Sequence, residues 1–118
     1  MAEFTEKRRF TRYTCETGVL IRLIDSSGGF WGHLSDISLG GCYVYTFSPL
    51  AVGQGVALAI KANDMEIDVT GKTVSSHPGV GMGVAFTGFS RNEGEQNLTA
   101  FLNHLDSLPK DKQAGVFY

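Results

Sequence analysis

Cysteine is scarce in this sequence. Cys15 and Cys42 are the only two, so a disulfide-built scaffold is excluded and at most one bridge can form. Met1 to Arg12 is charged and contains no apolar run, so no secretory segment is expected. Two reduced, buried thiols in a cytoplasmic protein are the expectation. Long apolar runs are also missing. Nothing approaches the roughly 18 residues that a membrane-crossing helix needs. Charge of one sign is missing too: 10 Lys and Arg stand against 12 Asp and Glu, for a net charge of -2 and a pI near 5.8. That balance excludes a broad basic coat for duplex DNA, because neutralising many phosphates needs many spread cations.

Catalytic and metal patterns are lacking as well. His33, His77 and His104 are scattered, with no close ligand cluster shared with the cysteines. Ser38 has no identifiable His/Asp partners, and Gly40-Gly41 lacks the lysine and the serine or threonine of a phosphate-binding loop. No catalytic residue, metal or resident cofactor is expected, and the chain reads as a binding protein rather than an enzyme.

What is present is the composition of one folded domain: 118 residues, 42% hydrophobic and 19% charged, too few for two comfortable cores. Fifteen glycines against three prolines favour tight turns and bulges. Alternating segments recur between turn signals. Val19 and Ile21 alternate within Cys15 to Ile24. Phe30 to Ile37 follows, with Trp31, His33 and Ser35 on one face and Phe30, Gly32, Leu34 and Asp36 on the other. Cys42 to Phe47 is next. Val56, Leu58 and Ile60 form a fourth stripe, Ile67 and Val69 a fifth, and Met82, Val84 and Phe86 a sixth. Asn63-Asp64 and His77-Pro78-Gly79 read as turns, and Gly71 as a bulge or bend. Six short strands imply an all-β, six-stranded antiparallel barrel, whose closure removes exposed edges. The period then changes. Ser90 and Glu93 read as a capping box, and Leu98, Phe101, Leu102 and Leu105 recur at helical spacing. Pro109 ends this C-terminal α-helix. The chain divides into a basic N-terminal arm (1–14), the barrel and helix (15–108) and a tail (109–118).

Two stretches carry the functional signal. Lys7-Arg8-Arg9-Phe10-Thr11-Arg12 holds four of the ten Lys and Arg residues. Arg8, Arg9 and Arg12 can converge on one small anion, since guanidinium forks suit phosphate and stack on bases; equally, a basic run can be a solvated face. Phe10 is a candidate local anchor for the arm. Asp36-Ile37-Ser38-Leu39-Gly40-Gly41 offers acceptors at Asp36 and Ser38, with Gly40 and Gly41 permitting close approach; equally, it can be a serine-stabilised turn between strands.

Together, in this order and separation, Arg8-Arg9-Phe10-Thr11-Arg12 and Asp36-Ile37-Ser38-Leu39-Gly40-Gly41 resemble the paired motifs of the PilZ domain family, bacterial receptors for cyclic-di-GMP. The resemblance covers roughly residues 7 to 105. It implies a PilZ-like barrel with cyclic-di-GMP as signalling ligand. It also implies that Arg8 and Arg12 contact guanine or phosphate with Arg9 assisting. Asp36 and Ser38 would contact the nucleotide or orient the arginines, and Gly41 would keep the surface open. Gly40 is an extra glycine that loosens the turn. A protein effector is the expected partner. A nucleotide-independent protein adaptor and a single-stranded nucleic-acid-binding module are the alternatives.

Overall fold

The computed structural model describes residues 10–25, 28–62, 65–90 and 93–108. The strands are β1 (Tyr13–Thr14), β2 (Gly18–Leu23), β3 (Gly29–Ile37), β4 (Gly41–Tyr45), β5 (Gly55–Ala62), β6 (Met65–His77) and β7 (Gly81–Phe89). One helix, α1 (Gly94–Asp106), follows. The sheet runs in the order β1-β3-β2-β5-β6-β7-β4, and an additional β3–β4 pairing closes it. Every pairing is antiparallel. The two-residue β1 is not a seventh stave: Thr14 pairs with Asp36 and Gly18 pairs with His33, so β1 and β2 run in succession along the same partner strand. The six-stranded barrel expected from the alternation is therefore the observed architecture. The first expected strand, Cys15 to Ile24, begins only at Gly18 and ends at Leu23, and Cys15 to Thr17 form an interruption between β1 and β2.

The reason for that interruption lies opposite. The β3–β4 register shifts between Leu34 and Asp36, where Ser35 is an extra residue. A bulge of this kind changes which face the following side chains occupy. Leu34 and Ile37 are both fully buried, three positions apart instead of two or four. Asp36 lies opposite Tyr43. Strict alternation had placed Asp36 on the inward face with Leu34; the bulge turns it outward and puts Ile37 in the core.

The lumen is filled by inward side chains, as small barrels require. Val19, Ile21, Val44, Val56, Ile60, Ile67, Val69 and Met82 have no exposed surface. Leu98, Phe101, Leu102 and Leu105 of α1 join the same core, and the helix packs on β6 and β1. Burying an aliphatic or Phe side chain stabilises by about 1.5–3 kcal/mol, so this face explains why α1 docks. Its start differs from the capping box. The N-cap is Glu93 without a side-chain cap bond, and the Ser90 amide instead donates to the Asp68 carbonyl at 3.2 Å, which ties Ser90 to the sheet. Ser107 closes the other end, its hydroxyl donating to the His104 carbonyl at 2.7 Å; Pro109, the expected terminator, lies outside the described residues.

Gly71 sits at a register shift between β6 and β7, as its position suggested. Gly79 takes φ of +80° in the turn after His77, a conformation that favours glycine. Asn63 and Asp64 lie outside the described residues, though Ala62 pairs with Met65 on either side of them. Among the described residues, no helix is long and apolar enough to cross a membrane, and no group of three His, Cys, Asp or Glu side chains is placed to hold a metal.

Candidate functional site

The site begins where the N-terminal segment enters the sheet. Thr14 pairs with Asp36, so the residues just before it are delivered to that carboxylate. Arg12 Nη1 lies 3.9 Å from Asp36 Oδ1. The Arg12 side chain is 66% exposed and that of Asp36 19%. A pair this open contributes about 0–1 kcal/mol to stability, so its structural effect is to aim the guanidinium. Burial pushes the Asp36 carboxyl above its ordinary range, and the Arg12 charge opposes the rise. Lys7, Arg8 and Arg9 lie outside the described residues.

The β3–β4 connection is organised by Ser38, which is nearly buried. Its Oγ accepts from the amides of Gly40 at 3.1 Å and Gly41 at 3.2 Å. The Ser38 amide donates to the Gly41 carbonyl at 2.8 Å. A serine that satisfies two backbone donors this way builds a turn. The turn is further tied to β7, where the Phe86 amide donates to the Gly40 carbonyl at 2.9 Å.

The two glycines have different surroundings. A Cβ on Gly41 would stand 2.3 Å from the Val84 carbonyl oxygen, so Gly41 is where β4 meets the β7 backbone. A Cβ on Gly40 would instead meet the Phe10 ring first, at 2.7 Å from Cδ2. Neither takes positive φ; among the described glycines only Gly53 and Gly79 do.

These pieces rim a cavity of about 460 Å³, within the range of small-molecule sites. Phe10 and Arg12 line one side, the Ser38 to Gly41 turn another, and Val74 and Ser75 of β6 a third. Its floor is the outer surface of β4 and β7, where Gly83 and Ala85 leave room that larger side chains would fill. Asp36 is not among the lining residues and meets the cavity through Arg12 and its cross-strand neighbour Tyr43. Of the residues singled out in the sequence, Arg12, Ser38, Gly40 and Gly41 therefore share one cavity, with Asp36 behind Arg12.

Tyr43 is a lining residue that sequence reasoning did not select. Its hydroxyl is 2.9 Å from His77 Nδ1, and its ring meets Tyr45 edge-on with centroids 5.9 Å apart. The cross-strand pairing that brings β4 beside β6 through β7 is what assembles them, and no local sequence signal reports it. Val74, Ser75, Gly83 and Ala85 were missed for the same reason. Cys15 and Cys42 are both free and buried, as expected. Burial pushes the Cys15 thiol up to about 12, with Asp36 and Glu16 adding to the rise; Cys42 is raised by burial as well.

Comparison with known proteins agrees with this fold. A sequence model of the PilZ domain matches residues 6–104. No curated protein matches the chain. Among solved structures, the PilZ domain of CeSA from a cellulose-synthesizing bacterium superposes with a TM-score of 0.64 at 18% identity, covering 81% of this chain and 98% of that one. The PilZ domain of Escherichia coli YcgR, solved with c-di-GMP, gives a TM-score of 0.59 at 19% identity over 94% of this chain and 99% of that one. The K. pneumonia MrkH–c-di-GMP complex gives 0.67 at 18% identity over 84% of this chain but only 51% of its own. The chain thus spans about half of MrkH and nearly all of the two isolated domains. At these identities the structural likeness is one of fold.

Proposed function

The chain belongs to the PilZ domain family, a family of receptor and adaptor modules rather than enzymes, and from that premise we propose that it is a cyclic-di-GMP receptor. The observation that carries the reading is the convergence of the two motif stretches. Arg12, from the first, and Ser38, Gly40 and Gly41, from the second, line one cavity, with Asp36 holding the arginine. YcgR and MrkH, which share the fold, were solved with c-di-GMP.

In this proposal Arg12 and Arg8 clamp the phosphates, with Arg9 assisting; charge-assisted bidentate bonds are the strong ones. A guanidinium plane can also stack on a guanine. Asp36 orients Arg12 and offers a carboxylate acceptor for a guanine edge. Ser38 keeps the turn in shape, and Gly41 keeps the floor flat. No bond is made or broken. The output is occupancy of the cavity transmitted to a protein effector, and coupling of that kind requires the ligand to favour one state of the arm over another.

Calorimetry on the purified protein tests this. Saturable binding of cyclic-di-GMP, with GMP and cyclic-di-AMP much weaker, is the expected result, and Arg12→Ala or Arg8→Ala should reduce it by about tenfold or more. Equal weak binding of all three nucleotides, or none, overturns the proposal. Effector binding indifferent to the nucleotide would make the protein an adaptor instead.

A further inference from the structure

We propose that Phe10 is a latch that seats the arginine arm on the cavity before any nucleotide arrives, with Gly40 as its seat. Phe10 lies two residues before Arg12 and two after Arg8, at the centre of the basic segment. Its ring lies over Gly40 so closely that a Cβ there would stand 2.7 Å from Cδ2 and 3.0 Å from Cε2. Neither its backbone conformation nor its hydrogen bonds call for a glycine at this position. Its φ is not in the left-handed region, and its amide and carbonyl bonds are ones that any residue but proline can make. Gly41 differs, since its missing side chain faces the Val84 backbone. The space left at Gly40 is therefore matched to Phe10, whose ring supplies the three nearest atoms to it.

Phe10 also lines two cavities. One is the cavity of Arg12, Ser38 and Gly41. The other, of about 280 Å³, lies toward α1 and is lined by Tyr13, Leu39, Leu102 and Asn103 among others. The ring thus stands as a partition between the arginine cavity and the helix. On the helix side the chain is fixed again three residues later, where the Tyr13 hydroxyl donates to Asp106 Oδ1 at 3.1 Å. The arm is held at Phe10 and at Tyr13, with Arg12 presented between them. Pre-seating of this kind raises affinity by removing an ordering cost that the ligand would otherwise meet. Phe10 is a positioning residue here, acting through Arg12.

The nucleotide part of this inference rests on the receptor reading; the latch itself does not, and the test separates them. Tryptic cleavage after Arg12 is followed without nucleotide in the full-length protein. Phe10→Ala and Gly40→Ala should each be cut several-fold faster than wild type, with Phe10→Tyr, which keeps the ring, cut at the wild-type rate. Equal rates in all four proteins overturn the latch. Calorimetry then follows cyclic-di-GMP. Phe10→Ala and Gly40→Ala should each weaken binding by about tenfold, Phe10→Tyr should restore it, and the double variant should be no weaker than Phe10→Ala alone. Losses that add in the double variant overturn Gly40 as the seat, and unchanged affinity in Phe10→Ala overturns the link to the ligand. If wild type binds no cyclic-di-GMP, the receptor reading falls, while the cleavage rates still judge the latch.

Discussion

The Asp36 carboxylate stands 3.9 Å from the Arg12 guanidinium on a strand whose bulge alone turns it outward. Burial raises its pKa above the ordinary 3.8, against the opposing pull of Arg12. Just above that ordinary value the folded protein keeps a proton that the unfolded chain has lost. Stability from this group is thus present at lower pH and declines as pH rises through the raised value. Asp36→Asn should remove that decline and raise the Tm at neutral pH, while weakening cyclic-di-GMP binding. Thermal melts across the acid range and calorimetry at pH 7 check both halves. A lower Tm at neutral pH would show that the ion pair outweighs the desolvation.

Ser38→Ala should destabilise the protein whether or not nucleotide is present. The hydroxyl accepts from two turn amides at 3.1 and 3.2 Å, and leaving near-buried donors unmet costs about 1–3 kcal/mol. Urea unfolding of the nucleotide-free protein measures it. A variant as stable as wild type would shift the role of Ser38 from the turn to the ligand.

Gly41→Ala should cost more than Gly40→Ala in stability. The new methyl would meet the Val84 carbonyl at 2.3 Å on backbone that must shift, whereas at Gly40 it meets a ring that can move. Overpacking against a wall of this kind costs roughly 1–3 kcal/mol. Comparing the two urea midpoints decides it, and equal midpoints would refute the difference in surroundings.

Cys15 should be almost inert to iodoacetamide at pH 8 in the folded protein. The residue is 8% exposed and its thiol pKa is pushed up to about 12 by burial first and then by Asp36 and Glu16, so the reactive thiolate is scarce. Mass-spectrometric labelling should show reaction at least about a hundredfold slower than in urea. Rapid native labelling would mean that the β1–β3 junction opens readily.

The barrel was legible because its signal is local. Val56-Leu58-Ile60 and Met82-Val84 alternate regularly, and their inward faces are buried as that pattern requires. Leu98, Phe101, Leu102 and Leu105 likewise announced the helix face. The start of that helix was misread because Ser90 is bonded to the sheet, a long-range contact that outweighs a capping pattern. The Arg12, Asp36 and Ser38 portion of the site was visible because charge and turn chemistry are written in short stretches. Its floor was not. Tyr43, Gly83 and Ala85 come together only through the β4–β7 register, and register depends on the closure of the whole sheet. Gly40 was read as a loosened turn because the Phe10 ring that occupies its space is thirty positions away.

The bulge in β3 has one more effect. Its extra residue, Ser35, offers its carbonyl to the Cys15 amide at 3.1 Å, on the edge where β1 gives way to β2. Deleting Ser35 would let Leu34 and Asp36 continue as neighbours against Val44 and Tyr43 in an unbroken ladder. The barrel would lose little, but the incoming chain would lose the acceptor that fixes it. The irregularity in the wall therefore acts as the mooring point of the incoming chain: a strand made more regular would hold that segment less firmly.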